Sequence, residues 1–238
     1  MKIIFTLVLI SFAASAMAQD AAPKKWKDAA ELSYVQTSGN SKTSTTAGKN
    51  LFNYDWEKAA LELAAGGLGT KSKNTVTAEQ YNASEKVSWK FSGRNYTFEK
   101  VSLDKNRFAG ILSRYDLGLG LGRTLIDRAE DKMFVEVGGG YIFEDRIHVE
   151  NQSFGTYRGY GKYIRNLSAT ANASQDFEYL GNLKDSKGYR MNAETALVAS
   201  ISTHFSLKTS YLWKYSNSPS AGFKKTDTTT GMTIIVNY

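Results

Sequence analysis

Few residues in this chain have the types and spacing that catalysis needs. The 238-residue sequence holds two histidines, His148 and His204, and no cysteine. A zinc site needs three or four converging nitrogen, sulfur or carboxylate ligands, and two distant histidines without a thiol give a poor start. His148 stands near Asn151 and Ser153, the residue types of a nucleophile, its base and an orienting partner. Nothing in their spacing fixes that geometry, so a lipid hydrolase at a membrane rim is kept as an alternative only. Gly118-Leu119-Gly120-Leu121-Gly122 has the glycine density of a dinucleotide loop, but such a loop turns from a strand into a helix. Here the leucines alternate as they would along a strand. Gly66-Gly67-Leu68-Gly69-Thr70-Lys71-Ser72 lacks the G-K-[ST] order of a phosphate loop and reads as a loop tip. The expectation is no catalytic residue, no metal and no cofactor.

The charged residues carry a different message, because they alternate with apolar ones. About twelve period-two segments follow one another, most of about 10 to 14 residues, the length of tilted membrane strands. Leu32 and Tyr34, Leu61 and Leu63, Val87 and Trp89, Leu117 to Leu121, Val135 and Val137, and Leu197 and Ala199 each share one face of such a segment. In the fifth segment Tyr96 and Phe98 set a stripe that slips near Val101, where a bulge is expected. This is the pattern of an all-β, transmembrane, antiparallel up-and-down β-barrel of about twelve strands. It also reconciles a membrane signature with a mean hydropathy of −0.38, since only alternate residues meet lipid. A secreted β-sandwich uses the same alternation but with shorter strands.

Turning the apolar stripes outward turns Glu62, Arg114, Asp116, Glu136, Arg158, Lys162, Asp176, Glu178, Arg190, Glu194, Lys208 and Lys214 inward. Both signs are present. One reading is a lumen packed with mutually paired charges; the other is a narrow polar pore whose charges select solutes. Gly118, Gly120 and Gly122 would face inward beside Gly138 and Gly140. That bare patch leaves a conduit, or receives a large side chain from across the barrel.

Both ends of the chain point to export and membrane insertion. Lys2, the apolar run Ile3 to Ile10 and Ala16-Met17-Ala18 form a signal peptide over residues 1–18. A short periplasmic lead-in, 19–26, precedes the barrel at 27–238. In the closing segment Met232, Ile234, Val236 and Tyr238 line one face, with Ile235 the one apolar residue opposite. An apolar last strand ending on an aromatic is the assembly signal expected by the barrel-assembly machinery. The location expected is the outer membrane of a Gram-negative cell, in a barrel that is monomeric.

Tight connections at Asp55 to Glu57, Ser92 to Arg94, Ile126 to Asp131, Arg165-Asn166 and Ser202 to His204 alternate with longer polar ones. The longer set is Ser38 to Lys42, Gly69 to Val76, Asp104 to Arg107, Asp145 to Gln152, Gly181 to Lys187 and Ser216 to Thr226. Short turns would face the periplasm and long loops the exterior. The formal net charge is +7, and an exported protein rarely meets nucleic acid, so anionic lipid is the expected partner. Lys71, Lys73, Lys105, Arg107, Lys184, Lys187, Lys224 and Lys225 fall in the external loops and are candidates for contact with lipopolysaccharide headgroups. A surface ligand-binding barrel is the second alternative.

Two regions also resemble a known family. Leu32 to Leu51, LSYVQTSGNSKTSTTAGKNL, and Arg114 to Asp127, RYDLGLGLGRTLID, with the Val135 to Phe143 strand, resemble hairpins of the salt-induced outer membrane proteins, also called YdiY-like proteins. The resemblance implies an outer-membrane barrel of undefined activity and brings no catalytic residues. The favoured function is therefore non-enzymatic: envelope maintenance, or narrow pore-like passage of small polar solutes.

Overall fold

The computed structural model describes residues 25–39, 43–72, 75–147 and 149–238. The expected signal peptide, nearly all of the lead-in, Lys73 and His148 lie outside these residues. Twelve strands form one closed antiparallel barrel, each hydrogen-bonded to its sequence neighbours, with the last returning to the first. They are β1 (Trp26–Ser38), β2 (Thr43–Asp55), β3 (Ala59–Ser72), β4 (Thr75–Lys90), β5 (Asn95–Asn106) and β6 (Ile111–Asp127). The second half is β7 (Asp131–Arg146), β8 (Val149–Asn166), β9 (Ala171–Asn182), β10 (Arg190–Ser200), β11 (Phe205–Ser216) and β12 (Thr226–Asn237). Closure leaves no edge strand with unpaired backbone groups, the condition for a sheet to cross lipid.

One end of the barrel carries the tight turns at 56–58, 91–94, 128–130, 167–170 and 201–204, together with both ends of the barrel chain. At this turn end the amide of Tyr238 donates to the Asp28 carbonyl at 2.9 Å, pinning the last residue to β1. The opposite, loop end carries the longest connections, 183–189 and 217–225. Two of the long loops expected from sequence are shorter. Gly66 to Ser72 belongs to β3 rather than to a loop tip, and β7 and β8 leave only 147–148 between them. Their polar residues extend the strands beyond the apolar belt, so polarity there marks height and not a turn.

The outward face is apolar. Leu119, Val137 and Leu32 are each at least 60% exposed in the bare protein, where lipid would cover them, and Met232, Ile234 and Tyr238 continue the same face on β12. Aromatic rings gather towards the two ends. Tyr157, Tyr179, Tyr189, Tyr215 and Trp213 form a chain with successive centroids 5.8–6.0 Å apart across β8 to β11. Near the turn end Tyr54 and Trp56 lie 4.5 Å apart. Such girdles suit the two interfaces of a bilayer.

The fifth strand departs from expectation. Val101 pairs with Glu85 and Leu117 in unbroken register, and the irregularity lies between Asp104 and Asn106. No bulge sits near Val101. Instead Tyr96 and Phe98 face the lumen, Phe98 being only 3% exposed. They can do so because their neighbours across the ladder are Gly122 and Gly120, which leave room for a ring. The phase therefore puts Glu99 on the outward face together with Glu85, at the level of Leu119 and Leu117. Neither takes part in a salt bridge among the described residues.

Candidate functional site

The site is the barrel interior, built by the inward positions of all twelve strands. Pairing registers place Glu62, Arg114, Asp116, Glu136, Arg158, Lys162, Asp176, Glu178, Arg190, Glu194, Lys208 and Lys214 on that side. Five of them, Arg114, Glu136, Arg158, Glu178 and Arg190, meet around two buried carboxylates, Glu136 and Glu144.

The first centre is Glu136 on β7, 1% exposed. It pairs with Lys86 from β4, accepts from Arg158 Nη1 of β8 at 2.9 Å and from the Tyr96 hydroxyl of β5 at 2.9 Å. A buried carboxylate is tolerable only with such partners, because its desolvation would otherwise cost several kcal/mol. Arg158 continues the chain to Glu178 at 2.5 Å, and Glu178 accepts from Asn192 at 3.1 Å. Aromatic faces hold the cations in place: the Lys86 ammonium lies 5.0 Å from the Phe98 ring centroid, and the Arg158 guanidinium 4.7 Å from that of Tyr160. Phe134 packs beside Tyr160 at 5.9 Å. The glycine patch is thus filled by Phe98 and Tyr96 from the adjoining strand, not from across the barrel. A Cβ on Gly122 would enter the Tyr96 ring, and one on Gly120 would meet both Phe98 and the Val137 carbonyl.

The second centre is Glu144, higher on the same strand and 3% exposed. Three arginines converge on it: Arg114 from β6, Arg146 from its own strand, and Arg190 from β10 at 2.7 Å. Arg114 also reaches Asp104 at 3.5 Å. Farther round, Lys208 pairs with Glu194 at 2.8 Å, and the Glu194 amide donates to Asp176 at 3.2 Å. Lys162 stands opposite Asp176 in the β8–β9 register.

Sequence reading missed Glu144, Arg146, Lys86 and Tyr96 as lumen residues. Glu144 has the same parity as Glu136, and Lys86 the opposite parity to Val87, so the alternation already carried both. Glu144 escapes the pattern because the polar run from Asp145 reads as a loop and ends β7 beside it. Tyr96 had no such signal, since an aromatic in a membrane strand reads as outward unless its glycine neighbours are known.

The wall made by β1 to β4 is different. Its inward positions mix small residues, Ala47, Ala60, Ala64, Gly66, Ser84 and Ser88, with longer ones such as Lys49, Leu51 and Leu68, and carry no aromatic ring among the described residues. Glu62 and Asn82 point inward yet remain solvent-exposed. At the turn end this wall borders a cavity of about 390 Å³ lined by Lys27, Asn53, Glu62 and Lys86.

At the loop end, residues 217–225 fold over the mouth. The Arg146 Nη1 donates to the Ser218 carbonyl at 3.2 Å, and Asn217 Nδ2 and Ser218 Oγ donate to the Lys187 carbonyl at 3.0 and 3.1 Å. The Phe223 ring lies against Gly110 between β5 and β6, half the strand order away from β11 and β12. The segment therefore straps the opening. A cavity of about 230 Å³ lies beneath it.

The loop cations are placed variously. Lys105, which belongs to β5 rather than to a loop, and Arg107 pair with Glu79 at 2.9 and 3.1 Å, and Lys224 and Lys225 line the cavity under the strap. Lys184 and Lys187 are exposed. The side chain of Lys71, like Lys73, lies outside the described residues. His204 sits in the turn at 201–204, its Nδ1 3.0 Å from Thr203 Oγ1.

Comparison with solved structures returns outer-membrane barrels. The NanC porin superposes with a TM-score of 0.61 at 6% identity, covering 87% of this chain and 98% of that one. The KdgM porin in complex with disordered oligogalacturonate gives 0.53 at 10% identity, with 88% and 99% covered. The translocator domain of the autotransporter NalP from Neisseria meningitidis gives 0.55 at 12% identity, with 92% and 90% covered. At these identities the likeness is one of fold. In sequence, the uncharacterised protein YdiY of Escherichia coli (strain K12) is 25% identical over 200 residues, covering 83% of this chain and 77% of YdiY. The family model for the protein of unknown function DUF481 matches residues 30–238, essentially the whole barrel. The chain is a YdiY-like protein and belongs to the DUF481 family.

Proposed function

We propose that this protein is a non-enzymatic outer-membrane barrel that passes small polar solutes along a narrow lane. The observation that carries this reading is the unequal filling of the lumen. Aromatic rings and paired charges fill the β5 to β10 side, while the β1 to β4 wall carries no inward aromatic ring among the described residues and leaves inward-facing Glu62 and Asn82 open to water. A barrel held together only for envelope stability has no need of a hydrated polar wall. Twelve strands lie between the side-chain-filled eight-stranded barrels and the sixteen-stranded aqueous porins, so a lane narrower than a general porin fits the circumference. Resemblance in fold to porins supports the same reading.

The test is conductance of the folded barrel in a planar bilayer. Discrete steps, smaller than those of a sixteen-stranded porin, are expected. A correctly folded barrel that gives no steps above the lipid background would overturn the proposal.

A further inference from the structure

The cavity beneath the strap differs from the rest of the lumen in two ways. First, its charge is unbalanced. Seven Lys and Arg side chains line it against four Asp and Glu, and Glu144 lies buried behind the arginines. Each guanidinium carries five N–H donors, and Glu144, Asp104 and the Ser218 carbonyl occupy only a few of those on Arg114, Arg146 and Arg190. Second, the strap contributes Ser220, 3% exposed. Its Oγ is the only buried side-chain polar atom among the described residues without a hydrogen-bond partner. Buried hydroxyls are nearly always paired, and leaving one unpaired costs about 1–3 kcal/mol. Ser220 lines the same cavity as Arg114, Arg146 and Arg190, and an oxyanion held there would offer its hydroxyl an acceptor.

We propose that this cavity binds a small solute bearing a carboxylate or phosphate group, held by the guanidinium donors of Arg114, Arg146 and Arg190 and by the Ser220 hydroxyl. Planar, forked guanidinium donors match both oxyanions. The space, about 230 Å³, is below the roughly 300–1,000 Å³ of pockets for drug-sized ligands, so it suits a small anion. Its position inside the barrel mouth excludes a lipid headgroup in the surrounding leaflet as the source. The inference deepens the channel reading by naming the charge of the solute. It rests on that reading for passage, though not for binding.

Equilibrium dialysis of the folded, detergent-solubilised barrel against radiolabelled inorganic phosphate tests binding directly, with acetate as the carboxylate competitor. Saturable phosphate uptake that acetate displaces is expected. Ser220→Val should weaken it several-fold while the barrel keeps its unheated gel migration, and Lys214→Gln, which removes one lining charge, should weaken it less. No saturable uptake by the parent, or undiminished uptake by Ser220→Val, would overturn the site. Phosphate should also reduce the potassium chloride conductance of the parent and spare that of Ser220→Val. Saturable, displaceable binding in a barrel with no conductance would keep the site and remove the channel, whereas conductance without binding would do the reverse.

Discussion

The two walls of this barrel obey one alternation and end in opposite states. On β5 to β8 the inward positions carry Tyr96, Phe98, Phe134, Glu136, Ile142, Phe154 and Arg158, and the glycines of β6 make room for two of the rings. On β2 to β4 the same positions carry no aromatic ring among the described residues and mix alanine, glycine and serine with longer side chains such as Lys49, Asn53, Glu62 and Asn82. The difference shows that a barrel's bore is set by side-chain volume on each wall as well as by strand number. A dozen strands leave enough interior for one wall to be packed like a core and the other to stay wet. Charge follows the same division. Glu136 and Glu144 are buried and multiply paired, whereas Glu62 has water and no salt bridge among the described residues.

The largest way to break this contrast is Glu136→Ala. It strips Lys86 and Arg158 of a shared buried partner, so a loss of about 3–5 kcal/mol is expected. Glu62→Ala on the wet wall should cost no more than about 1 kcal/mol. Urea unfolding of the two variants in lipid vesicles measures both, and equal losses would dissolve the distinction between the walls. Next comes Leu119→Arg, which tests the outward assignment at mid-belt and should cost roughly 2–4 kcal/mol. Gly120→Ala, which drives a methyl into the Val137 carbonyl and the Phe98 ring, should cost about 1–3 kcal/mol by overpacking. Gly48→Ala, on the outward face of β2 beside Leu32, has nothing within 4 Å of the added methyl and should be near neutral. The smallest effect is a gain. Glu85 and Glu99 face outward among Leu63, Val87, Val101 and Leu119, so changing both to Leu should stabilise the barrel by less than the roughly 2–4 kcal/mol scale of a midplane Arg. A loss there would mean that a partner uses these carboxylates.

Much of this was legible in the sequence because a period-two code depends on nothing but parity. Strand number, closure on an apolar β12 and the inward set from Glu62 to Lys214 follow from it. Parity fails where a neighbour overrides residue type. Tyr96 and Phe98 are aromatic and yet inward, because the cross-strand partners that admit them, Gly122 and Gly120, belong to the next strand. Parity is equally silent on how a long connection folds back, so the strap at 217–225 and its orphan Ser220 could only emerge from the assembled mouth. Strand ends blurred for a third reason. Polar residues such as Thr70 and Asp145 extend the strands beyond the apolar belt, and composition alone reads them as loop.

The most direct test of the unequal lumen is thiol reactivity, since the chain has no cysteine of its own. Single cysteines at Asn82 and Ile142, both inward but on opposite sides of the filling, would be exposed to a small membrane-impermeant sulfonate reagent with the barrel folded in vesicles. Asn82 is exposed and Ile142 is 0% exposed. An unequal lumen predicts fast modification of Asn82→Cys with a matching drop in conductance, and none of Ile142→Cys until the barrel unfolds. Equal rates at the two positions would contradict it.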